Sequence, residues 1–308
     1  MSMTKRWLAA GFVLWLAGIS MHAIAASSAM LNPPGANPSP ATPHAPQRIV
    51  SLGGTVTEIV YELGKGDELI GNDLSSIYPS QATTLPRVGY YRSLSIEGLV
   101  SLDPDLILAS EQAGPPAVLK RVQQLGIPVV MISDDGTLDS LYERIRQIAL
   151  ALNIPEKGRD MERRVRAHVD SAMDKVRQMN GAEPPVRAIM LMKRTSQMQA
   201  AGSGTTAAAL LELAGLHNAV AAQSGYTTLS AESLAALQPD LIVTTRSSIE
   251  ALGGKQAFSL NAGVNLTPAA RHGNILIMDD LLILGFGPRT ARSIEQLASA
   301  RAHAARSR

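Results

Sequence analysis

Tyr90, Tyr91 and Arg92 put two phenols and a guanidinium on three consecutive residues, directly after Gly89. A cation beside a phenol favours the phenolate. A planar guanidinium also pairs well with carboxylates. The chain holds only 2 Trp, 6 Tyr and 3 Phe, so a Tyr-Tyr pair stands out. From the residues alone, packing at a loop edge accounts for the pair more simply.

Other chemistry is thin. The segment Ala201-Gly-Ser-Gly-Thr205 is glycine-rich but lacks the spacing and lysine of a phosphate loop. It reads as a turn before a helix. Glu58 and Asp73 are single carboxylates with no partner visible in the sequence. His22 lies in the leader, His44 in a Pro-rich stretch and His303 in the tail, while His168, His217 and His272 read as surface residues. That speaks against a zinc or manganese cluster. With no cysteine there is no disulfide, no thiol nucleophile and no cysteine-ligated metal. No constellation supports catalysis, and an enzyme is not expected.

Lys5 and Arg6 precede an apolar stretch, Trp7 to Ala25, that ends in Ala23-Ile24-Ala25. This is the layout of a secretory signal peptide, residues 1–25. Removing Lys5 and Arg6 from 28 basic residues leaves 26, against 26 acidic ones. No basic stripe for nucleic acid is apparent. Without a cysteine to lipidate, the mature protein is expected free in the periplasm, as a monomer.

Residues 26–47 are rich in Pro, Ala, Ser and Asn and read as a disordered tether. Strand-like runs at Arg48–Leu52, Glu68–Gly71, Leu106–Leu108 and Val129–Ile132 alternate with helical stretches at 96–102, 117–125 and 138–152. Thr55-Val-Thr-Glu58 reads as a capping box opening a further helix, which Gly64 closes. This predicts an α/β lobe over 48–154 with a largely parallel sheet. Met161, Val165, Val169, Met173 and Val176 recur every three or four positions within 155–181, predicting one long amphipathic helix. From 182 to 308 the α/β pattern returns, with strands at 188–192, 241–244 and 275–278 and helices at 205–214 and 289–300.

Leu94–Leu108 and Leu229–Val243 are identical at nine of fifteen positions without a gap, and each follows a Gly-Tyr pair, Gly89-Tyr90 and Gly225-Tyr226. The echo implies two related lobes. Two Rossmann-like α/β lobes joined by one long backbone helix leave a cleft between them, where small ligands bind. Such a helix predicts little hinge motion.

Arg48-Ile-Val-Ser-Leu-Gly-Gly-Thr-Val-Thr-Glu58 resembles the opening of helical-backbone (class III, cluster A) solute-binding proteins, which serve siderophore, corrinoid and haem importers. Leu85–Leu99, Ala113-Gly-Pro-Pro116, Ala201–Gly204 and Asp279–Arg289 resemble the haem-binding branch more closely. The likeness runs from Arg48 to about Gln296.

The resemblance implies a periplasmic protein that binds haem in its cleft and delivers it to an ABC permease dimer with its cytoplasmic ATPase. It implies Tyr90 as the axial ligand of the haem iron, with Arg92 nearby and Tyr91 as the alternative phenol. A phenolate suits ferric iron, and a cation beside it helps form one. Arg92, Tyr226, Arg246 and Arg194 are the candidates for the propionates and the cleft wall, with Lys193 similar. Some relatives place a histidine near Lys193 and hold a second haem. Here Lys-Arg-Thr-Ser-Gln-Met stands there, so one haem is expected, with Met198 more at home in packing. Glu97 and Glu232, each seven residues before its Pro, are implied as permease-docking carboxylates. A siderophore- or corrinoid-binding protein of the same fold is the alternative.

Overall fold

The computed structural model describes residues 45–179, 185–194 and 197–307. The expected signal segment, and the expected tether up to His44, lie outside the described residues.

Ala45–Arg308 is one compact unit. Its first half runs β1 (Ile49–Leu52), α1 (Gly54–Glu62), β2 (Leu69–Asn72), β3 (Gly89–Tyr90), β4 (Ser93–Leu94), α2 (Ile96–Val100), β5 (Leu106–Ser110), α3 (Pro116–Gln124), β6 (Val129–Ile132) and α4 (Leu138–Ala151). The sheet order is β2-β1-β5-β6, all parallel, with β3 and β4 a separate two-stranded hairpin. Next comes α5 (Pro155–Met179). The second half holds β7 (Arg187–Arg194), β8 (Gln197–Ala201), α6 (Thr206–Leu213), β9 (His217–Asn218), β10 (Tyr226–Thr228), α7 (Ala231–Leu237), β11 (Leu241–Thr245), α8 (Arg246–Ala251), α9 (Lys255–Ser259), α10 (Pro268–Arg271), β12 (Ile275–Met278), α11 (Asp280–Leu284) and α12 (Thr290–Arg306). Its sheet runs β10-β8-β7-β11-β12 with β9 beside β7, and β8 is antiparallel to both β7 and β10. That antiparallel edge is absent from the sequence reading, because the Gln197–Ala201 run carries two glutamines and little hydrophobic signal.

The long helix forms for the reason its periodicity suggests. Met161, Val165, Val169, Ala172 and Val176 are buried in one stripe, and they join a single core that runs from Ile49 in the first lobe to Ala304 in the second. Helix α5 packs on α4 and on α12. Alternate strand residues face the other way into two outer cores, Val50, Leu52 and Ile107 in one lobe and Ile189, Leu191 and Ile242 in the other. Helix α12 runs six residues past its expected end, because Ala302 and Ala304 carry its buried stripe onward.

The duplication is structural as well as sequential. Ser95 and Ser230 cap α2 and α7, accepting from the Gly98 and Ser233 N–H groups. Asp103 and Gln238, matched positions, both take left-handed backbone at φ 48° and 44°. Asp105 and Asp240 each bind the start of their lobe's first strand, accepting from Arg48 N at 3.1 Å and Arg187 N at 2.8 Å. The Arg48 and Arg187 side chains in turn donate to the matched carbonyls of Leu102 and Leu237.

The expected capping box at Thr55 and Glu58 does not form. The N-cap of α1 is Gly53, with no side-chain cap. Tertiary contacts take both side chains instead. Thr55 Oγ1 accepts from Arg144 Nη1 at 2.9 Å. Glu58 accepts a two-point pair from Arg289, at 2.7 Å from Nε and 2.9 Å from Nη2. The Glu58–Arg289 pair bridges the lobes, whereas Thr55 and Arg144 both belong to the first. Arg144, 1% exposed, also reaches the Phe286 carbonyl at 2.6 Å, the Ser133 carbonyl at 2.8 Å and Asp134 at 2.6 Å. Arg289 stacks 3.5 Å above the Tyr78 ring. Glycine makes room for side chains from the other lobe here: a Cβ on Gly54 would stand 2.3 Å from the Leu281 side chain, and one on Gly285 2.7 Å from that of Thr55.

Burial drives the Glu58 carboxyl above its ordinary 4.5, although Arg289 pulls it down. For Arg289, burial is outweighed by Glu58, which holds the guanidinium above its ordinary value. Arginine stays protonated in both folded and unfolded chains, so the pH dependence belongs to Glu58. The folded state binds this proton more tightly than the unfolded one. Its contribution is therefore favourable below about pH 4.5 and shrinks as pH rises through the folded value. In Glu58→Gln, that stretch of the pH–stability curve is expected to flatten. Arg289→Met at pH 7 strands a buried carboxylate, with an expected loss of roughly 3 kcal/mol in urea unfolding. A loss below about 1 kcal/mol, the range of a surface pair, would show that the bridge does not hold the lobes.

Candidate functional site

The strands of both lobes end toward the loops that carry the candidate residues, as in other open α/β sheets. In the first lobe the outstanding feature is the β3–β4 hairpin. Its turn is Tyr91-Arg92, between the paired residues Tyr90 and Ser93. Both tyrosines are half-buried and Arg92 is exposed. The two rings meet edge to face, 4.9 Å between centroids at 71°. Arg92 Nε donates to the Tyr91 oxygen at 3.0 Å, and the guanidinium sits 5.2 Å from that ring's centre. The cation expected beside Tyr90 is thus bonded to its neighbour.

Burial pushes the Tyr91 phenol up to about 12, against the pull of the Arg92 charge. Tyr91 is a neutral phenol at pH 7. Desolvation outweighs the guanidinium here because the ring edge is packed under Tyr90 and the outer core, whereas Arg92 stays in water and is screened.

Asp73 holds this hairpin to the lobe. The sequence shows no partner for it. The structure buries it fully and surrounds it with four donors, Gly53 N, Ser75 N, Ser76 Oγ and Tyr91 N, at 2.9, 2.8, 2.9 and 3.3 Å. The Tyr91 carbonyl accepts from Gly114 N at 2.8 Å. Leu74, 56% exposed, lies beside the hairpin, its N–H bonded to the Gly89 carbonyl at 2.9 Å.

In the second lobe, Lys193 and Met198 are register partners on β7 and β8. They line one cavity of about 340 Å³ together with Leu229, Ser230 and Leu234. The last three are the repeat counterparts of Leu94, Ser95 and Leu99, which follow the tyrosine hairpin in the first lobe. Arg246 is exposed and opens α8, just past the C-terminal end of β11. Tyr226 stands elsewhere, paired with Ala201 three residues further along β8 and packed against the main core. The Arg194 side chain lies outside the described residues. Glu97 and Glu232 are exposed, each in the first turn of its Ser-capped helix. A larger cavity of about 670 Å³ lies apart from the hairpin, between α1 and the 78–85 segment. Among the described residues no group of three His, Asp or Glu side chains is placed to hold a metal ion.

Three comparisons bear on this geometry. The periplasmic heme-binding protein RhuT from Roseiflexus sp. RS-1, in apo form, is 36% identical and superposes with a TM-score of 0.80 over 84% of this chain and 99% of that one. The periplasmic heme-binding protein BhuT, solved with two hemes, is 34% identical with a TM-score of 0.77, covering 83% of this chain and 98% of its own. A vitamin B12-binding protein of Vibrio campbellii is 28% identical over 238 residues, 73% of this chain and 85% of its own. The likeness to RhuT takes in the two α/β lobes and the long connecting helix. The periplasmic binding protein family matches residues 49–282, which takes in both lobes, the helix between them and the hairpin, and this chain belongs to that family.

Proposed function

We propose that this protein binds haem in its inter-lobe cleft and hands it to an ABC-transporter permease in the inner membrane. The observation that carries the reading is the Tyr90-Tyr91-Arg92 hairpin, two phenols edge to face with a guanidinium on the second. Oxidised haem iron takes a phenolate ligand well. Likeness to RhuT and BhuT supports haem, while the vitamin B12-binding relative supports a corrinoid as the second reading. A corrinoid gives the paired phenols no evident task.

Tyr90 is the ligand in this proposal. The Tyr91 oxygen already accepts from Arg92, and burial makes that phenol slow to ionise. Tyr91 then packs against the porphyrin, and Leu74 offers it an apolar edge. Arg92 on the near side, with Lys193, Arg194 and Arg246 across the cleft, are the cations for the two propionates. Tyr226, half-buried against the main core, is given no role in this scheme. Glu97 and Glu232, one carboxylate on each lobe, suit the two halves of a permease dimer. The protein works as an exported binding protein, without catalysis and as a monomer.

Titrating the mature protein with ferric haem is expected to give a saturable one-to-one complex with a tyrosinate-type high-spin spectrum. Tyr90→Ala should abolish that spectrum and weaken binding roughly a hundredfold, about 2.8 kcal/mol. Loss only in Tyr91→Ala would move the ligand by one residue. A wild type that binds cobalamin tightly and perturbs no haem spectrum would replace haem by a corrinoid.

Reversing both docking charges, Glu97→Lys with Glu232→Lys, should leave the haem titration unchanged. Haem uptake into vesicles holding the permease should fall roughly tenfold or more. Unchanged uptake would remove these glutamates from the docking surface.

A further inference from the structure

The hairpin that carries both tyrosines cannot hold its own shape. Each strand has two residues, and a lone two-stranded ribbon is marginal in water. Two-residue hairpin turns normally use φ > 0 to match strand twist. Among the described residues the non-glycine positions with positive φ are Asp103, Asn153 and Gln238. Tyr91 and Arg92 therefore make an unprimed turn, of the sort that splays its strands. Something outside the hairpin must hold it.

Backbone bonds from Gly114 and Leu74 supply part of that hold, and Asp73 supplies the side-chain part. Its side chain is fully buried at the C-terminal end of β2. One oxygen accepts from Gly53 N and Ser76 Oγ, the other from Ser75 N and Tyr91 N. The carboxylate thus ties three segments that are distant in sequence: the β1–α1 turn, the loop after β2 and the hairpin turn. Arg87 stiffens the same loop from behind, donating to the Asn72 side chain at 2.8 Å and to the Asp73 and Ser76 carbonyls at 2.5 and 3.0 Å.

We infer that Asp73 is the positioning residue of the ligand site: its carboxylate fixes the Tyr91 backbone, and through the ring pair it sets where the Tyr90 phenol stands. The inference rests on the haem reading for what the phenol does. The tie itself is independent of the ligand. Only an acceptor on both oxygens fits. An amide in place of the carboxylate turns an NH₂ toward two donors, which leaves them unpaired in a buried site.

The experiment is Asp73→Asn in the mature protein, read twice. Hydrogen exchange of the ligand-free protein should show residues 89–94 exchanging at least tenfold faster, with α5 as protected as in the wild type. Haem titration should then show affinity down at least tenfold and the tyrosinate band shifted. Unchanged protection of 89–94 would overturn the proposal. So would lost protection together with an unchanged band and affinity. If Asp73→Asn fails to fold, Asp73→Glu keeps the charge but moves the oxygens by one methylene, and the same paired readout decides. A wild type with no haem spectrum defeats the haem reading before any substitution is made, and with it the role given to Asp73 toward iron.

Discussion

The two-point pair between Glu58 and Arg289 sets how the halves of this molecule meet. A carboxylate 2% exposed must keep its guanidinium, since a buried charge left alone costs several kcal/mol. Arg144 adds a second bridge, donating across to the Phe286 carbonyl while the Ser133 carbonyl and Asp134 hold it within its own lobe. Both bridges lie where glycines leave room for side chains of the other lobe. With α5 packed along one core shared by both lobes, the joint has few soft degrees of freedom.

On that frame the tyrosines are placed by a carboxylate rather than by their own turn. Asp73 is buried without an ion-pair partner among the described residues, yet four hydrogen bonds satisfy it. Directed donors hold geometry better than a mobile cation would. The same packing leaves the Tyr91 phenol protonated at neutral pH.

The duplicated segment shows what is structural and what is particular to each lobe. Serine cap, left-handed residue, Asp and Arg recur in both copies and perform the same backbone tasks. The Gly-Tyr pairs diverge. Gly89-Tyr90 opens a separate two-stranded hairpin, while Tyr226 joins a sheet edge against the core. One copy carries its phenol on a hairpin beside a second tyrosine, and the other packs its phenol against the main core.

Periodicity and turn residues determined the architecture from sequence alone: two α/β lobes, the α5 helix with its buried stripe, and the repeat. These are local signals, carried by spacing along one element. The residues Tyr90, Tyr91 and Arg92 were likewise visible as types, but their partners were not. Thr55 and Glu58 fit a local capping box, yet in the fold Arg144 and Arg289 claim them from 89 and 231 residues away. Asp73 looked solitary because its donors are mostly backbone N–H groups, which every residue has and no motif reveals. Arg92 neighbours both phenols in sequence, and only the turn decided that it bonds Tyr91. Long-range pairing of buried charges is settled by which faces the core brings together, and that information resides in the packed structure.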